Sequence, residues 1–341
     1  MTTAPEAPPA SSPGHTIMLA LPGVAVSASI AAVAYLLSRW IVQVPLNPIM
    51  IAVVLGILIS SLTSSPAWIT GGLETLPRFA LRIAIVLLGF QISIADVLSI
   101  GGTGLSSAIV ATATTLAVTL AAGRIMRVER NSAILIAVGT AICGVAAIVA
   151  MGSAIRASAR DMTYAILCVT LFGLLSMFLF PLAGQFLSLD ARLFGIWTGA
   201  AVHEVAQVVA AGFQHSQEAG EVATITKLSR VLLLAPVVAA ITFSLPSDTS
   251  APRAKSVVPW FVVGFALAVA VNSFLPVPGE ARAALGVIVS VLFTFALAAI
   301  GLTINPRQLL SGNATGLLLG LIATIWVTAV ALVVILLAET R

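Results

Sequence analysis

The chain has 341 residues, 60% of them hydrophobic and only 8% charged, with a mean hydropathy of +1.13. Soluble domains carry roughly 25% charged residues, so a water-soluble fold is excluded and lipid is the expected solvent. The net charge of +4 comes from scattered Lys and Arg with no basic face or aromatic platform, which argues against a nucleic-acid partner.

Residues 1–16, rich in Pro, Ala, Ser and Thr, read as a short disordered tail without the features of a signal peptide. A bilayer core of about 30 Å needs roughly 20 apolar residues per helix. Apolar runs near that length fall at 17–38, 48–62, 77–95, 104–122, 132–152, 161–184, 192–213, 221–243, 257–272, 282–304 and 314–338. They predict an all-α polytopic membrane fold with about eleven transmembrane helices, the second and ninth short, in a single domain over 17–341. Arg124, Arg127 and Arg130 lie in one loop, and Arg253 and Lys255 in another on the same side. This favours a cytoplasmic N-terminus and an external C-terminus, against the opposing pull of Arg156 and Arg160.

Two internal matches stand out. Residues 89–105 (GFQISIADVLSIGGTGL) share seven of seventeen positions with 301–317 (GLTINPRQLLSGNATGL), on the third and tenth predicted helices, which run oppositely. That suits an inverted-topology repeat. Residues 139–152 (GTAICGVAAIVAMG) share seven of fourteen with 199–212 (GAAVHEVAQVVAAG), on the fifth and seventh, which run the same way if every run crosses. Both matches fit one inverted duplication only if there is a re-entrant segment or a permuted second repeat; compositional bias is the alternative.

Ionisable groups inside membrane helices cost roughly 2.5–3.5 kcal/mol each. They are few here: Arg82, His203, Glu204, Lys227 and Arg230. His203, Glu204 and Gln207 crowd one side of a helix bracketed by Gly199 and Gly212, and the matching stretch holds Gly139, Thr140, Cys143 and Gly144. Small residues let such a helix unwind, and the freed backbone groups can bind a solute at mid-membrane. The functional reading is a broken helix on which Glu204 or His203 takes a proton or cation. The plain one is a polar patch bonding helices together. Lys227 and Arg230, one turn apart, either neutralise Glu204 or present the positive end of an anion site, Arg suiting planar oxyanions. Lys227 could also snorkel to the interface. Arg78 and Arg82 read as structural anchors, and Asn272 and Asn305 as caps or turn residues.

Cys143 and Cys168 sit in apolar segments and read as buried free thiols, with no disulfide or metal-binding spacing and no cofactor motif. No HExxH, GxSxG, P-loop or CxxC signature occurs, so catalytic residues are not expected. A Ser–His hydrolase centred on His203 and an anion channel remain the alternatives to a transporter.

The stretches LRIAIVLLGF (81–90), AICGVAAIVA (141–150), CVTLFGLLSMFLFPL (168–182), GIWTGAAVHEVAQVVAAG (195–212) and KLSRVLLLAPV (227–237) resemble the YeiH-type family, described as sulfate exporters. The resemblance covers nearly the whole chain after residue 20. It departs at Val145 and Ala146, where the family pattern puts a small hydroxyl residue after ICG. The resemblance implies the bile/arsenite/riboflavin transporter superfamily, with inverted repeats and two crossing broken helices. Sodium–bile-acid relatives carry a Glu and a Gln similar in kind to Glu204 and Gln207, at a spacing one residue different, so sodium binding does not carry over. The expectation is a bacterial inner-membrane secondary transporter, multi-pass and with its oligomeric state open. It would export a small anion such as sulfate or another sulfur oxyanion, coupled to protons or sodium. Its site would draw on Thr140, Cys143, Gly144, His203, Glu204, Gln207, Lys227 and Arg230.

Overall fold

The computed structural model describes residues 13–40, 47–63, 73, 76–243, 260–275, 277–304 and 314–339. The described elements are helices: α1 (Pro13–Trp40), α2 (Pro48–Thr63), α3 (Leu76–Gly89), α4 (Ile94–Ile125), α5 (Arg130–Ala141), α6 (Val145–Ala154) and α7 (Ala159–Phe186). Then follow α8 (Ala191–Ala201), α9 (Val205–His215), α10 (Gln217–Leu232), α11 (Leu234–Phe243), α12 (Trp260–Phe274), α13 (Gly279–Thr303) and α14 (Ala314–Glu339). Among the described residues, six stretches are long and apolar enough to cross a membrane: 21–40, 100–125, 160–186, 217–241, 279–303 and 314–338. The protein is an all-α, multi-pass membrane protein. Of the expected tail, residues 13–16 belong to α1, and residues 1–12 lie outside the described residues.

Local chemistry sets several helix ends. Ser93 opens α4 in a capping box with Asp96, and Ser158, Asp190 and Ser216 cap α7, α8 and α10 through their side-chain oxygens. The C-terminal ends of α4, α6 and α7 close alike, with Val128 N–H on Gly123 O, Ala157 N–H on Gly152 O and Leu189 N–H on Gly184 O. This is the Schellman closure, whose left-handed residue is usually Gly. Here Arg127, Arg156 and Ser188 adopt it, at φ 54°, 53° and 51°.

The runs 132–152 and 192–213, expected to cross, fold back on themselves instead. Helices α5 and α6 have 12 and 10 residues, and α8 and α9 have 11 each. At 1.5 Å per residue each reaches only about 15–18 Å, roughly half a bilayer. A Cβ at Gly139 would meet Ile148, and one at Gly152 would lie 3.7 Å from Leu135, so α5 and α6 pack side by side. In the second pair, Phe194 and His215 stack with ring centroids 4.3 Å apart, and Gly195 and Gly212 both press on the start of α10 around Ala219. Each pair is a helical hairpin, with its tip at residues 142–144 or 202–204.

Helix α7 shows how the hairpins face. Near its start Met162 packs on Gly152 at the base of the first hairpin, and near its end Gly184 packs on Phe194 at the base of the second. Between these, Val169 packs near Gly139 and Thr170 bonds Glu204, close to the two tips. The hairpins therefore enter from opposite ends of α7 and meet at its middle.

The remaining helices repeat one set of contacts. A Cβ at Gly301 of α13 would lie 2.6 Å from Val53 O and 3.0 Å from Gly56 Cα of α2. A Cβ at Gly89 of α3 would lie 2.7 Å from Phe265 O and 2.9 Å from Ala268 Cβ of α12. Ser60 of α2 donates to Ile304 O at 2.7 Å, and Asn272 of α12 donates to Ile92 O at 3.1 Å. Adding 212 to 53, 56, 60, 89 and 92 gives 265, 268, 272, 301 and 304. This is the first sequence match expressed as packing, although its second copy partly falls on 305–313, outside the described residues, as does Asn305. Asn272 also accepts from Val277 N, the turn role expected of it. Helices α1, α2, α3, α12 and α13 form one group, and α4, the hairpins, α7, α10, α11 and α14 form the other.

Candidate functional site

The hairpin tips meet where a Cβ on Gly144 would run into the Glu204 side chain. Gly144 stands at φ 74°, ψ −128°, a conformation open to Gly and strained for other residues. The two hairpins thus bring together Thr140, Cys143 and Gly144 from one tip and His203, Glu204 and Gln207 from the other. The sequence match 139–152 to 199–212 sets both breaks in register, residues 142–144 on 202–204.

Each tip exposes two kinds of helix end. Helices α5 and α8 arrive with carbonyls and the negative end of their dipoles, whereas α6 and α9 leave with N–H groups and the positive end. The carbonyl ends are occupied by Arg230. Its Nη1 donates to Ala200 O at 2.6 Å and Gly199 O at 3.3 Å, its Nη2 to Thr140 O at 2.8 Å and Ala141 O at 2.5 Å, and its Nε to Ala141 O at 3.1 Å. One guanidinium therefore closes helix ends from both hairpins. Lys227, one turn earlier on α10, donates from Nζ to Val202 O at 2.7 Å. Both cations are fully buried. The snorkelling reading of Lys227 is overturned, because its ammonium is held at the tip of the second hairpin rather than at an interface. Arg78 and Arg82 are exposed on α3.

The N–H ends are more open. Val145 and Glu204 are half-buried and Ala146 is exposed. Glu204 N–H donates to Gln207 Oε1 at 3.1 Å, and Thr170 Oγ1 of α7 donates to Glu204 Oε1 at 3.1 Å. Lys227 and Arg78 are cations near this carboxylate. Gln207 packs against Gly173 of α7, where a Cβ would strike its amide.

His203 is fully buried at the tip of the second hairpin, and its Nε2 lies 3.0 Å from Thr324 Oγ1 of α14. Thr324 spends its own hydrogen on Gly320 O at 2.7 Å, so His203 Nε2 is the donor and its Nδ1 is left an acceptor without a partner among the described residues. Thr112 of α4 donates to Ala141 O at 3.0 Å. Thr112 and Thr324 are themselves 212 residues apart, and each buttresses one tip. Thr140 Oγ1 has no partner among the described residues, and Cys143 and Cys168 are buried free thiols.

Thr112, Thr170, Gly173 and Thr324 were not singled out from sequence. A lone Thr in an apolar helix ordinarily bonds its own preceding turn, and only the 212-residue shift could have flagged Thr112 and Thr324 as a pair.

Over residues 22–320 the chain matches the family model described as Conserved hypothetical protein 698. It belongs to that family. Among family relatives, a UPF0324 membrane protein of Pseudomonas putida is 34% identical over 295 residues, covering 84% of each chain. A UPF0324 membrane protein of Bordetella bronchiseptica is 35% identical over 294 residues, 83% of this chain and 91% of that one. The UPF0324 inner membrane protein YeiH of Salmonella typhi is 31% identical over 320 residues, 90% of each chain, which bears out the YeiH-type resemblance. No solved structure matches the chain.

Proposed function

We propose that the protein is a secondary transporter of the bacterial inner membrane that exports a small anion, sulfate or another sulfur oxyanion, with Glu204 carrying the coupling proton. The observation that carries this reading is the meeting of two hairpin tips, entering from opposite sides, at the level of the Glu204 carboxylate. Non-helical backbone at membrane depth is tolerated where it is buried in protein or lines a cavity, and transporter sites are built from such breaks. The 212-residue recurrence of contacts is the pattern an inverted duplication leaves. The register of the two hairpins adds the rest of each unit in permuted order, the hairpin following α2–α4 in one and preceding α12–α14 in the other.

Charge supports an anion. The two carbonyl ends and the two N–H ends carry opposite partial charges of about half a unit each and cancel. Arg230 and Lys227 then stand against the Glu204 carboxylate, and the tips become more positive when Glu204 takes a proton. An anion and a proton would therefore bind together, the anion on the open N–H side beside Gly144, Val145 and Ala146. The backbone there would do the work that a hydroxyl at 145 or 146 would otherwise share. The reading treats the chain as a carrier rather than an enzyme.

The test is counterflow of radiolabelled sulfate in proteoliposomes, with and without a pH or sodium gradient, for the wild type and Glu204→Gln. Saturable exchange that responds to the pH gradient, and loses that response in Glu204→Gln, is the expected result. Exchange of sulfate, sulfite and sulfonates all failing would remove the substrate class. An unaltered pH response in the variant would remove Glu204 from coupling.

A further inference from the structure

We propose a binding site for an anionic phospholipid at the base of the first hairpin, separate from the tips. A cavity of about 610 Å³ opens between the end of α4, the start of α5 and the end of α11. Leu120, Gly123, Ile134 and Ile241 supply apolar walls, and Arg124 and Arg130 stand beside them. Among the described residues, no acidic residue lines it. Both arginines are exposed, and neither guanidinium has a hydrogen-bond or ion-pair partner among the described residues.

Two independent features point to a phosphate among these residues. The first is the arginine pair, whose guanidinium forks match phosphate oxygens. The second is the uncapped start of α5: Glu129 makes no side-chain cap bond, and the first intrahelical bond comes from Ala133 N–H to Glu129 O. The N–H groups of the first turn are left to an outside acceptor, with the positive dipole end behind them.

The apolar part of the cavity decides which phosphate. Arg124 closes a membrane-length apolar stretch that begins at Ile100, which sets the arginines at headgroup level. From there Leu120 and Ile134, each about one turn from an arginine, continue towards the bilayer core, and Ile241 flanks them at the end of its own apolar stretch, a surface suited to an acyl chain and of no use to a free ion. A lipid with net negative charge satisfies both ends at once, and basic pockets between transmembrane helices bind such headgroups. The Schellman closure at Arg127 holds the end of α4 beside the start of α5, and Ala133 packs against Gly123. The lipid would thus sit in a shaped groove and bridge the outer arm of the hairpin to α11.

The test is native mass spectrometry of delipidated, purified protein titrated with phosphatidylglycerol and with phosphatidylcholine of the same acyl chains. The site predicts about tenfold tighter binding of phosphatidylglycerol, lost in Arg124→Ala/Arg130→Ala and retained in Arg39→Ala, which removes an exposed arginine of α1, a helix that packs on α2, α3 and α13 and does not line the cavity. Ala240→Trp, which fills the groove and leaves both arginines, should weaken phosphatidylglycerol binding as well. That variant keeps the proposal testable if the double arginine variant does not fold. Equal affinity for the two lipids, or wild-type binding by both the arginine and the Ala240 variants, overturns it. Displacement of phosphatidylglycerol by millimolar inorganic phosphate overturns it too, in favour of a free-phosphate site.

Discussion

Gly144 and Glu204 touch across the two hairpin tips, so closely that the glycine has no room for a methyl group. Gly144→Ala must both leave φ 74° and displace the glutamate. Backbone strain of this kind costs about 1–3 kcal/mol before any steric term. The variant is expected to unfold at a lower temperature in detergent and to lose sulfate counterflow. A wild-type melting temperature would show that the tips separate without cost.

Arg230 answers a different question, whether a cation buried at the site serves the fold or the solute. Arg230→Met leaves carbonyls of Thr140, Gly199 and Ala200 without the donor that now serves them. With about 1–3 kcal/mol for each buried unsatisfied group, a loss of about 3 kcal/mol or more is expected. Arg230→Lys should fall between, since an ammonium lacks the fork that spans both hairpins. Thermal unfolding in detergent reads both. If either variant keeps full stability and loses only sulfate exchange, the guanidinium serves the solute.

Ser188, exposed and held at φ 51° in the Schellman closure of α7, should tolerate glycine better than serine. A left-handed conformation costs an L-residue roughly 1–2 kcal/mol, part of which glycine gives back in chain entropy. Ser188→Gly is expected to raise the melting temperature slightly, and a fall would mean the hydroxyl has an unrecognised partner.

The 212-residue relation predicts paired behaviour. Gly89→Leu and Gly301→Leu should each force a helix off a neighbouring backbone and destabilise to a similar extent, by about 2 kcal/mol or more from overpacking. Ser60→Ala should cost less than Asn272→Ala, because the serine makes one bond to its partner strand of chain while the asparagine serves both Ile92 and Val277. Melting temperatures of the four variants check the pairing; a neutral member of the glycine pair would break it.

Membrane class, helical content and the two internal matches could be read from residue order. What could not be read was the folding back of 132–152 and 192–213. An apolar run of about twenty residues has the same hydropathy whether it crosses once or goes halfway and returns, and neither tip contains a proline. The His203–Glu204 pair in the middle of such a run is the clue, for it marks where backbone must turn. Lys227 and Arg230 looked like candidates for the solute because their partners are main-chain carbonyls, which no residue type announces. Once the tips are located, the same two cations are what helix ends at that depth require.

One consequence of the Arg230 fork concerns leakage. A hairpin that withdraws from the centre must surrender its own carbonyls' hold on the guanidinium, while the other hairpin's carbonyls still grip it. In the proposed carrier, with the hairpins as its two gates, opening one leaves the guanidinium engaged with the other. A carrier built on that single shared fastening would have an interlock against standing open to both compartments at once.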